Sequence, residues 1–253
     1  MYEGQTQFWG WVLAARSGIQ PKDIVLGAMA NAAGYYSNQP GRAWRSLEDT
    51  THDPIINQRR SRPYTSLHRD EDYYNEGMLV WLEADQVIRS GTGGARGLDD
   101  FARAFFAGNG DLGQRTYEFA DIVAALNGIY AYDWARFLTA RFQTPGAPPP
   151  LGGVEKAGYR LVWKEEPNPY RKGQMAGNGG FLDLLYSLGV NLEGSGEVSQ
   201  VMWDSPAFDA GLVDGVQIVD PSQVCDARTV LADNAQLRRA AGVLGALGEL
   251  NRL

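Results

Sequence analysis

Three consecutive prolines, Pro148 to Pro150, sit inside the run TPGAPPPLGG at 144–153. Such a run continues neither a helix nor a central strand, because each proline lacks an amide proton and has a fixed φ. It reads as a stiff linker and a domain boundary. Upstream of it, apolar residues recur at helical spacing. Phe8, Trp11, Val12 and Ala15 mark a helix over 4–17 that Gly18 ends. Pro21 opens a second, carrying Ile24, Val25, Met29 and Ala32. The strongest pattern runs over 72–90, through Tyr74, Met78, Leu82, Ala84 and Val87, and GTGG at 91–94 ends it. Further helices are predicted over 98–107, begun by Asp99 and Asp100 near the positive end, and over 119–126 and 134–142. Residues 38–70 show no clean period and read as a long irregular segment packed over helices.

Downstream the pattern changes. YRLVW at 159–163, SLGVNL at 187–192, EVSQVMW at 197–203 and VQIV at 216–219 read as strands. SPAFDAGL at 205–212 reads as a short helix ended by Gly211, and the Ala/Leu/Arg-rich stretch 230–253 as helical. The expected fold class is α+β. A mostly helical part covers 1–143, a Pro/Gly-rich linker 144–158, and a small β-rich domain 159–253.

The formal net charge of −7 repels phosphate backbones and argues against nucleic acid as a partner. No apolar run approaches the ~20 residues of a membrane span. Cys225 is the single cysteine, so the chain forms no internal disulfide and no cysteine cluster for zinc. His52 and His68 have neither helical nor zinc-finger spacing and read as ordinary polar residues. HExxH, a GxSxG elbow and a phosphate-binding glycine loop are all missing from the sequence.

Three stretches carry a family resemblance. YEGQTQFWGWVLAARSG at 2–18 is similar to the gluzincin aminopeptidase helix that begins with a Glu-Gly pair and follows the HExxH helix. The resemblance implies that Glu3 is the third zinc ligand; read alone, Glu3 is a carboxylate at a helix start. DYYNEGMLVWLEADQVIR at 72–89 resembles the segment in which a tyrosine three residues before a glycine stabilises the oxyanion. Tyr74, with Gly77 behind it, is the matching residue. Glu76 stands where many related enzymes have lysine. YSLGVNLEGSGEVSQVMWDSPAFDAGLVDGVQIV at 186–219 resembles the PDZ domains appended to bacterial proteases. Leu188, Gly189 and Val190 fall where the backbone would receive a peptide C-terminus and where a strand would pair with it. The usual Gly-Asp turn and following hairpin are replaced here by Gly215-Val216 and DPSQVCDARTV.

Together with RSLEDTTHDPIINQRR, GLDDFARAFF, ALNGIYAYDWARFL and AGYRLVW, these stretches resemble the PDZ-containing glycyl aminopeptidases of metallopeptidase family sixty-one, a gluzincin type. The resemblance implies a thermolysin-like helical subdomain, zinc in the intact parent enzyme, peptide substrates with N-terminal Gly or Ala, and a periplasmic or secreted parent. It puts the HExxH half upstream of Met1. The chain is accordingly expected to be a C-terminal half that binds no zinc and hydrolyses nothing alone, with apolar helix faces around Trp11 left to drive self-association. A different class of function, a non-catalytic receptor for peptide C-termini on a helical scaffold, fits the same residues.

Overall fold

The computed structural model describes residues 2–53, 64–107, 116–164, 166–177, 181–218 and 249–252. Its upstream part is helical: α1 (Tyr2–Arg16), α2 (Lys22–Ser37), a short α3 (Thr65–His68), α4 (Asn75–Gly91), α5 (Leu98–Phe106), α6 (Phe119–Ile129) and α7 (Trp134–Phe142). The hub is α4. Met78, Leu79, Val80, Trp81, Ala84 and Ile88 are all buried, so this helix is enclosed on every side, which an ordinary one-faced helix is not. Its buried carboxylates are each paired. Glu83 accepts from the Arg141 fork at 2.9 and 2.9 Å, and Asp85 accepts from Arg89 at 2.6 Å and from the Leu98 amide at 2.8 Å. These pairs tie α5 and α7 to the hub at positions where an unpaired carboxylate could not be buried.

Residues 38–70 are more ordered than their composition predicts. Among the described residues they hold 3-10 helices at Pro40–Ala43 and Glu48–His52, followed by α3. Three arginines organise them. Arg45 spans Asp49 (3.1 Å), Asp53 (2.8 Å) and the His68 carbonyl (2.8 Å). Arg69 binds Asp72 (2.7 Å), Glu76 and the Arg45 carbonyl (2.7 Å). Arg42 reaches Glu76 at 2.7 Å and the Ala147 and Pro148 carbonyls at 3.0 and 3.2 Å. Glu76 is 1% exposed and holds two guanidinium groups.

The proline run is held against the helical body by those Arg42 bonds and by Gly146 N–H donating to the Arg42 carbonyl at 2.7 Å. After it comes α8 (Gly152–Lys156), laid on α4 so closely that a Cβ on Gly153 would meet the Glu83 backbone nitrogen at 2.5 Å. Val154 is 1% exposed within the helical core, and Leu151, Tyr159 and Leu161 pack around that core. The segment expected to be a linker is therefore docked, and the helical core extends past residue 143 to β1 (Tyr159–Val162).

Next comes α9 (Pro169–Gly177), which periodicity did not reveal, then β2 (Phe181–Leu184), β3 (Val190–Glu193) and β4 (Val198–Val201) in an antiparallel sheet of order β2-β3-β4. Among the described residues of VQIV, 216–218, the pairing is an isolated bridge, Glu197 to Gln217. Ser205 caps α10 (Pro206–Asp209) by accepting from the Phe208 amide at 3.2 Å. At the C-terminal end, β5 (Glu249–Arg252) pairs antiparallel with β1, so these four residues are extended and not helical as the composition implied. Residues 219–248, with the rest of that expected helix and Cys225, lie outside the described residues.

The small sheet is stitched to the helical body through α3. Tyr64 enters the sheet's apolar core and meets Trp203 and Phe208 edge-on at 5.3 and 5.4 Å. Gln200 donates to the Thr65 hydroxyl at 3.2 Å, and the Trp203 amide to the Ser66 hydroxyl at 3.0 Å. A mostly helical body carrying a small antiparallel sheet is an α+β fold, as expected.

Candidate active site

The two residues named for catalysis stand 71 positions apart in sequence and meet where α1 crosses α4. Glycine on both helices permits the crossing. A Cβ on Gly4 would meet the Gly77 Cα and carbonyl carbon at 2.7 Å, and one on Gly77 would meet the Gly4 Cα at 3.0 Å. With backbones this close, Glu3, beside one glycine, faces Tyr74, one turn before the other. Burial, then the Glu3 carboxylate, push the Tyr74 phenol above its ordinary range.

A cleft of about 300 Å³ opens between α1, α2 and α4, lined by neither Glu3 nor Tyr74 themselves. Gln7, one turn along α1 from Glu3, and Asn75, next to Tyr74, stand on its wall with Asn31 and Tyr35 of α2. Burial pushes the Tyr35 hydroxyl up to about 12. Tyr170, on α9, roofs the cleft and meets Trp11 edge-on at 5.6 Å. The docking of α9 is tight: Asn168 donates to the Gly27 carbonyl at 3.2 Å, and a Cβ on Gly27 would lie 2.7 Å from Asn168 Oδ1. No sequence signal pointed to Gln7, Asn31, Tyr35 or Tyr170, and Tyr170 comes from beyond the proline run. Trp11, expected on an exposed apolar face, is half-buried under Tyr170. The exposed apolar residues of this region are Tyr2, Leu13 and Ile19.

Behind Tyr74 lies the arginine network. Burial outweighs the Arg69 charge and raises the Asp72 carboxyl to about 6. A carboxyl with a folded pKa above its unfolded one binds its proton more tightly when folded, so its contribution to stability is present below about pH 4 and lost as pH rises through about 6. Relative to Asp72→Asn, the wild-type chain is expected to lose about 1.4 kcal/mol per pH unit across that window. Urea titrations of both proteins at pH 4.5 and 7.5 measure this, and a difference that does not change with pH contradicts it.

The other candidate residues are elsewhere. His52 and His68 end their short helices and are exposed. Leu188, Gly189 and Val190 form the turn into β3, with Gly189 at φ 78°. The amides of Ser187, Leu188 and Gly189 all donate to the Leu184 carbonyl at 2.9–3.2 Å, and β3 is paired on both edges. A peptide carboxylate arriving there must displace bonds already made.

A catalytic zinc site takes three protein ligands and an open position. Glu3 offers one carboxylate, and among the described residues no group of three His, Cys, Asp or Glu side chains converges. The donor set of the described residues does not by itself fit zinc. Among the described residues, no helix is long and apolar enough to cross a membrane.

A family model described as M61 glycyl aminopeptidase matches residues 1–80, the stretch that contains Glu3, Gly4, Tyr74 and Gly77. No curated protein matches the chain. The match covers 80 of the 253 residues and supports, over that stretch, a likeness to peptidases of the aminopeptidase kind.

Proposed function

We propose that the chain supplies one side of a zinc metallo-aminopeptidase site for peptides with N-terminal Gly or Ala. In this reading Glu3 is the third ligand of a gluzincin-type zinc, and Tyr74 donates to the oxyanion that develops on the scissile carbonyl. The observation that carries it is the approach of Glu3 and Tyr74 at a glycine-on-glycine helix crossing. A phenol is protonated at neutral pH and can make this donation, which needs the proton at the moment charge develops. The helical body is then a thermolysin-like C-terminal subdomain. The β2–β4 sheet with its capped helix α10 is a PDZ-like module, whose turn at Leu188–Val190 takes a peptide C-terminus only after its amides leave Leu184.

Two histidines and a general base belong to the HExxH that this sequence lacks, so the chain alone is expected to be inactive. Elemental analysis of the purified chain should find no stoichiometric zinc, and glycyl and alanyl arylamides should not turn over. Supplied with an HExxH-bearing segment that restores zinc and activity, Tyr74→Phe should lower kcat by about a hundredfold with zinc content unchanged. Glu3→Gln should instead lower the zinc content. Stoichiometric zinc with turnover by the chain alone would mean that Glu3 works with His52 or His68, and would overturn the account of the missing ligands.

A further inference from the structure

A second cleft, of about 460 Å³, lies between the end of α2 and the small sheet, away from the Glu3–Tyr74 pair. Its walls include Gln39 on the helical side and Ser187, Gly189, Trp203 and Asp204 on the other, so it adjoins the turn at Leu188–Val190. We infer that it binds an extended peptide segment through an arginine side chain, with the Gln39 amide reading the peptide backbone.

Three independent features lead there. The first is Gln39. It is 6% exposed; its amide lies within hydrogen-bonding range of the Tyr35 hydroxyl, and Oε1 has no donor of good geometry. Leaving a buried amide oxygen unpaired is costly. An amide oxygen without a donor matches the N–H that an extended peptide residue presents.

The second is charge. No lysine or arginine is among the residues lining this cleft, Asp204 is its carboxylate, and the carbonyl end of the 16-residue helix α2 abuts it at Ser37 and Asn38. A helix C-terminus carries partial negative charge, so the cleft favours a cation. The third is the aromatic wall. Trp203 packs on Phe208 at 4.5 Å but remains 37% exposed, leaving ring surface to the cleft. A guanidinium stacks on such a ring and forks onto a carboxylate beside it, which an ammonium does less well. The volume suits one long side chain and its flanking peptide bonds.

The test uses the whole chain and two capped peptides, acetyl-Ala-Arg-Ala-amide and acetyl-Ala-Glu-Ala-amide, titrated by calorimetry. With both termini blocked, neither peptide is a substrate for an aminopeptidase or a ligand for a carboxylate-binding loop, so this inference and the proposed function fail separately. The arginine peptide should bind at least about tenfold more tightly than the glutamate one. Asp204→Asn, at an exposed position, should abolish most of that preference. Gln39→Leu, close in volume, should weaken the arginine peptide roughly tenfold. Tyr74→Phe should leave binding unchanged. Equal affinity for the two peptides, no binding of either at millimolar concentration, or an unaltered preference in Asp204→Asn would overturn the inference.

Discussion

Glu76→Gln is expected to cost about 3–5 kcal/mol of folding stability, the usual penalty for removing one partner of a buried ion pair. Glu76 accepts from Arg42 and Arg69, whose side chains are 9% and 2% exposed. After the change two guanidinium groups remain inside with Asp72 as the nearest carboxylate, and Asp72 is already committed to Arg69 at 2.7 Å. The loss spreads beyond the pair, because Arg42 also holds the proline run and Arg69 also holds the Arg45 carbonyl. Urea unfolding followed by tryptophan fluorescence measures it. Glu166→Gln, which breaks the exposed pair with Lys172, is the matched control and should change nothing measurable. Equal effects from the two substitutions would show that burial of the network contributes nothing.

Gly4→Ala and Gly10→Ala, on the same helix, are expected to have opposite signs. Alanine is favoured over glycine inside a helix by about 1 kcal/mol. At Gly10 a Cβ meets nothing within 4 Å, so the chain should gain that amount. At Gly4 the Cβ would lie 2.7 Å from the Gly77 backbone, which cannot rotate away as a side chain could. The helices must separate, at a net cost of about 1–3 kcal/mol. Glu3 and Tyr74 should separate with them, so in a zinc-loaded assembly Gly4→Ala should also reduce activity while Gly10→Ala does not. Thermal melts of the two variants decide the stability part, and equal shifts would mean that α1 and α4 do not cross at these glycines.

Some of this was legible locally. The helical spacing of Phe8, Val25, Met29, Met78, Ala84 and Val87 marked α1, α2 and α4, and all six side chains are buried in one core. The Glu-Gly pair and the Tyr-to-Gly spacing were legible as motifs, but their reason was not. Each glycine is there for the other, and nothing within seventy residues of either announces that. The irregular composition of 38–70 hid an ordered segment, because its order comes from arginine side chains and not from periodic apolar residues. Arg42 finds Glu76 34 positions away and Ala147 105 positions away.

What the sequence by itself determined is therefore short-range. Helical period is written within a few turns, and the end of α1, the turn at Gly189 and the cap at Ser205 are each written within a few residues. Long-range choices belonged to the tertiary structure: the docking of the proline run, the Tyr170 roof over the cleft, the pairing of β1 with β5, and the contact of Glu3 with Tyr74. Each depends on which distant groups share a low-dielectric interior. There a charge must find its partner and two backbones can touch only where both lack a side chain, conditions that no local pattern records.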